Sequence, residues 1–157
     1  VFIKAEKEGS QIKANKMNEI KSGDFIYSKL FAWKGSFDLV GAEFDSCFAS
    51  NEFPTFRIRE NNKWNVDSNF IKYYFKIPSS WKLAEQKSLG TTKKSRNRLK
   101  VEDFFQIEIP IPEPEDMDTI TELLMTIEDV SNKLKKSENM ADNLLKGVVA
   151  TIFENMK

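Results

Sequence analysis

A chain of 157 residues has room for one domain plus an appendage, and thirteen Phe, three Tyr and three Trp suffice for a real core. With no His and a single Cys, Cys47, imidazole-based catalysis and a structural zinc site are both excluded. The formal net charge is zero but segregated: residues 1–100 carry a surplus of eight positive charges, residues 101–157 a deficit of eight.

In chain order, the lysine-rich segment before Ser22-Gly23-Asp24 has no clear period and reads as loop with a short strand. Phe25 to Phe31, aromatic and β-branched after a Gly-Asp turn, reads as a strand. Gly35 ends it, and Ser36–Val40 alternates polar and apolar like a half-buried partner strand. Phe53–Ile58 is a third strand, and Pro54 places it at an edge or at a strand start. Asp67-Ser68 caps a helix whose Phe70, Ile71, Tyr74 and Phe75 share a face. Pro78 opens another helix toward Lys87. Gly90 to Arg98 is a polar loop, Val101–Phe104 one helical turn, and Phe105–Ile109 a closing strand.

Pro110, Pro112 and Pro114 make a stiff extended connector, the natural boundary between residues 1–112 and 113–157. Beyond it, Ile120, Leu123, Ile127, Val130, Leu134, Ala141, Leu144 and Val148 recur at alternating spacings of three and four, broken only at Ser137. The expected fold is therefore α+β: a small mixed domain of short strands, followed by one long coiled-coil-type helix. At 1.5 Å per residue that helix runs roughly 60 Å. So long an apolar stripe calls for a second helix to cover it.

No stretch nears ~18 consecutive apolar residues, so no membrane span is expected. The chain opens at Val1 without a charged-then-apolar leader and reads as a fragment or a processed chain. A lone cysteine fits a reducing, cytoplasmic setting. No cofactor and no metal are expected.

The strongest local signal is GTTKKSRNRLK, Gly90 to Lys100, with five cationic side chains in eight residues. Guanidinium groups read guanine edges, lysines neutralise phosphate, and short hydroxyls reach either. Thr91, Thr92, Lys93, Lys94, Ser95, Arg96 and Arg98 are thus candidate nucleic-acid contacts; the other reading is a solvated basic loop. Lys29 and Lys34 flank Trp33 on an apparent hairpin, a cationic and aromatic mixture suited to a DNA groove. A core tryptophan between two surface lysines is the alternative there. Arg57 is a further candidate contact, whereas Phe53, Phe56, Trp64 and Trp81 read as packing and Cys47 as a small buried hydrophobe.

Taken together, GDFIYSKLFAWKGSFDLV, EFDSCFASNEFPTFRI, YYFKIPSSW and GTTKKSRNRLKVEDFFQIEIPIPEPE, with the long helix behind them, resemble the specificity subunit of type I restriction–modification systems. The likeness runs from Gly23 nearly to the end. The family continues Glu-Gln after the prolines, where this chain has Glu115-Asp116. The resemblance implies two target-recognition domains separated by two spacer helices, of which this chain carries one each, a half-subunit. It implies that the domain reads one half of a split duplex sequence and that the helix sets the spacing. Methylation and cleavage would then belong to a methyltransferase subunit and a restriction/translocase subunit, the chain itself being non-catalytic. It also implies pairing through the helix, with itself or with a second half.

Two rival readings remain open. One is a coiled-coil adaptor whose basic loop binds an acidic protein. The other is a carboxylate-based nuclease using Asp24, Asp38, Asp45 or Glu52.

Overall fold

The computed structural model describes residues 16–60, 62–88 and 97–154. It is α+β, with five short strands, four α-helices and two 3-10 turns among the described residues. Five strands form two small antiparallel sheets: β1 (Met17–Glu19) pairs with β4 (Phe48–Ser50), and β2 (Phe25–Tyr27) lies between β3 (Phe37–Leu39) and β5 (Thr55–Phe56). Phe25 faces Leu39 and Phe56 across the ladders, and Tyr27 faces Phe37.

Every residue of β2 is buried, because its two faces meet two different clusters. Side chains alternate along a strand. Phe25 and Tyr27 therefore enter a core with Ala32, Phe37, Phe75, Ala84, Leu99 and Phe104. Ile26 points the other way, into a smaller cluster with Ile20 and Val40, against which Cys47 packs half-buried. The larger core is built of stacked rings: Phe37 lies 4.3 Å from Phe75, Tyr27 4.9 Å from Phe104, and Phe56 5.2 Å from Phe104. Each such side chain contributes about 1.5–3 kcal/mol by burial, with a further increment from ring geometry.

Helix α1 (Ser68–Tyr74) starts where Asp67 accepts the Asn69 N–H, as the Asp-Ser pair predicts. Helix α2 (Pro78–Lys87) opens on Pro78, and α3 (Val101–Phe104) is a single turn. Four expectations shift, one being that Phe53, read as packing, is 38% exposed. The strand expected to run to Phe31 ends at Tyr27, because the chain folds back at Ser28. Phe105–Ile109 joins no ladder, although Gln106–Ile109 alternates exposed and half-buried residues; Ile107 N–H turns back to the Phe104 carbonyl instead. Trp64 is 48% exposed, on a loop where Asn65 adopts a left-handed φ of 49° and Lys63 covers the ring at 4.7 Å.

The chain divides into two compact units, residues 1–119 and 120–157. Helix α4 (Pro114–Glu154, 41 residues) begins within the first, and Met117 in its opening turn is fully buried. In the second unit the apolar stripe faces outward, from 50% exposure at Val130 to 69% at Leu144, with Leu123, Ile127, Leu134, Ala141 and Val148 likewise exposed and Ile120 half-buried. No described helix is long and apolar enough to cross a membrane.

Candidate nucleic-acid interface

Between β2 and β3 the chain makes a tight turn. Ser28 N–H donates to the Ser36 carbonyl at 3.0 Å, and Ala32–Lys34 forms a 3-10 turn closed by Gly35 at φ 77°. Only glycine fits there. A Cβ at Gly35 would lie 2.3 Å from Cε2 of Trp81, and Trp81 is itself fixed because its indole N–H donates to the Phe75 carbonyl at 2.6 Å. Helix α2 thereby sits against the turn, and its C-cap Ser88 is the last described residue before the basic loop.

The far end of that loop returns to the same turn. Leu99 N–H donates to the Lys29 carbonyl at 2.9 Å, and Lys29 N–H donates to the Glu52 carbonyl at 2.9 Å. The Leu99 carbonyl accepts the Tyr27 hydroxyl at 3.1 Å, and the Leu99 side chain is fully buried. Arg98 beside it pairs with the Glu52 carboxylate, an ion pair at the surface. Burial pushes the Tyr27 phenol well above its ordinary value, with the Glu102 and Asp103 carboxylates adding to the shift.

The main-chain bonds thus bring the backbone of Arg98 close to that of Lys29, on the turn that also carries Trp33 and Lys34. Lys34 Nζ stands 4.8 Å over the Trp33 ring and 6.0 Å from the Phe31 ring centroid, while the Trp33 indole donates to the Leu30 carbonyl at 3.0 Å. Trp33 lies on the 3-10 turn, half-buried, not on a hairpin strand. Thr91, Thr92, Lys93, Lys94, Ser95 and Arg96 lie outside the described residues.

Arg57 is also exposed but is placed elsewhere. It sits at the opposite end of β2, where its Nε and Nη2 donate to Asp24 Oδ1 at 2.8 and 2.6 Å. Asp24 is buried and also accepts the Lys21 N–H at 2.9 Å, so Arg57 balances a carboxylate that folding removed from water. Sequence reasoning missed both Glu52 as the partner of Arg98 and the exposure of Phe31. A strand continuing through Phe31 would give it the parity of Phe25 and Tyr27, which are buried; the turn at Ser28 reverses that.

Each of the four carboxylates of the nuclease reading has a partner, and Asp24 and Asp45 accept from the adjacent N–H groups of Lys21 and Ser22. Asp24 meets Arg57, Glu52 meets Arg98, Asp38 accepts the Leu39 N–H, and Asp45 accepts the Ser22 N–H, which holds its carboxyl below the usual range. Among the described residues no group of three or more His, Cys, Asp or Glu is placed to hold a metal ion.

Comparison of the chain with protein-family models, curated proteins and solved structures finds no match.

Proposed function

We propose that this chain is a non-catalytic, sequence-specific duplex-DNA reader, acting in the cytoplasm as the specificity component of a type I restriction–modification assembly. Its first unit reads one half of a bipartite site. Its helix pairs with a second such helix, and methyltransferase and restriction/translocase subunits dock on the result. The observation that carries the reading is the Leu99–Lys29 hydrogen bond. It brings the end of the basic loop, with Arg98, onto the turn that displays Lys29, Trp33 and Lys34. Two segments that separately resemble DNA contacts are thus tied together through the main chain, which supports a cationic contact with a polyanion. The segmental resemblance to specificity subunits supplies the assembly.

The test is binding of the full chain to 30-base-pair duplexes with a randomised core at low ionic strength. Enrichment of a defined half-site, with affinity falling steeply as salt rises, is the expected result. Absence of duplex binding, together with capture of an acidic protein surface by the same face, would establish the adaptor reading instead.

A further inference from the structure

Phe31 is an exposed apolar ring beside the Lys34 ammonium, and its backbone is held by three hydrogen bonds. Its N–H donates to the Ser28 carbonyl at 3.1 Å, and its own carbonyl accepts from Lys34 at 2.9 Å and Ser36 at 3.2 Å. The ring is nonetheless 51% exposed, with the Lys34 ammonium 6.0 Å from its centroid and Lys29 two residues away. A fixed stem means that little further ordering is needed when the ring meets a partner.

We propose that Phe31 determines specificity by contacting the C5-methyl group of a thymine in the major groove. This rests on the duplex-DNA reading above and extends it from charge to base identity. A phenyl ring has no donor or acceptor, so it gains nothing from phosphate and cannot pair with the polar edges of guanine, adenine or cytosine. The thymine methyl is the apolar group that the major groove presents, and phenylalanine suits it. Lys29 and Lys34, which flank Phe31 in sequence, supply the charge that would hold the backbone while the ring meets the base. The turn thereby combines positioning by charge with readout by an apolar contact.

The experiment uses the full chain and the tightest duplex recovered from the randomised pool, with each thymine replaced singly by deoxyuridine, which lacks only the methyl. For the wild type, one replacement lowers affinity about fourfold, the worth of one buried methyl. Phe31→Ala binds the thymine duplex about tenfold more weakly and responds to no uracil replacement, while its melting temperature stays near that of the wild type. Phe31→Leu, a smaller change in shape, keeps part of the methyl dependence and serves as a second variant if alanine disturbs folding.

The assignment is overturned if no thymine methyl matters to the wild type. It is overturned also if Phe31→Ala keeps the full uracil response, or if it weakens binding equally on every duplex, as an intercalating wedge would. Those outcomes leave DNA recognition standing. Failure to enrich any duplex removes both the assignment and the function on which it rests.

Discussion

The hydroxyl of Tyr27 donates to the main-chain carbonyl of Leu99 at 3.1 Å, joining residues 72 apart in sequence at the floor of the candidate interface. Because both groups are buried, Tyr27→Phe leaves the Leu99 carbonyl without its side-chain partner and costs about 1–2 kcal/mol. Chemical denaturation measures the loss. DNA affinity should fall with it, since the same residue anchors the end of the basic loop.

The Tyr27 phenol also sets an alkaline limit. Its folded-state pKa is raised by burial, so above about pH 10 the unfolded chain gives up a proton that the folded chain keeps. Its contribution is complete below that value and is lost as pH rises through the folded pKa. Unfolding free energy measured from pH 9 to 11.5 should decline more steeply for the wild type than for Tyr27→Phe.

Gly35→Ala should be among the most damaging single substitutions. It places a Cβ 2.3 Å from the Trp81 ring at a φ of 77°, so steric overlap and backbone strain add. A loss of about 3 kcal/mol or more is expected, read as a fall in melting temperature. A neutral outcome would mean that helix α2 does not rest on the turn.

Arg98 and Glu52 test the surface without disturbing the fold. Their exposed ion pair is worth about 0.2–1 kcal/mol, so Arg98→Ala leaves stability nearly intact. If Arg98 contacts phosphate, the same variant lowers the slope of log affinity against log salt by about one. Glu52→Gln removes the competing carboxylate and should tighten duplex binding, by about two- to fivefold at low ionic strength. Weaker binding by Glu52→Gln would place the DNA elsewhere.

Arg57 separates support from contact. Arg57→Ala leaves the buried Asp24 carboxylate with the Lys21 N–H but without its cation, costing about 1–3 kcal/mol. Duplex selection by the folded variant should be unchanged. An altered target sequence would restore Arg57 to the interface.

Helix pairing is tested at Leu134 and Leu144, 66% and 69% exposed. Leu134→Glu with Leu144→Glu puts charge into the seam and should abolish association in sedimentation experiments. The melting of residues 16–112 should be unaffected. Unchanged association would exclude this stripe as the contact.

The class of fold, the cap at Asp67, the proline-led helix at Pro78 and the long rod were all legible in the residues, because each depends on neighbours within a turn or two. Helical spacing and capping are local physics, and Leu123 to Val148 declare their periodicity without reference to anything else. Which residues meet across the fold was not legible. Arg57 and Arg98 look alike in sequence and both are exposed, yet one pairs with the buried Asp24 carboxylate at the start of β2 and the other with the surface carboxylate of Glu52, beside Lys29. Phe31 follows the parity of Phe25 and Tyr27 but ends up exposed, because a backbone hydrogen bond at Ser28 turns the chain before the alternation can continue. The tertiary structure decided these cases because hydrogen bonds such as Leu99 to Lys29 close over seventy residues. Nothing in either segment alone favours one partner over the many it could have met.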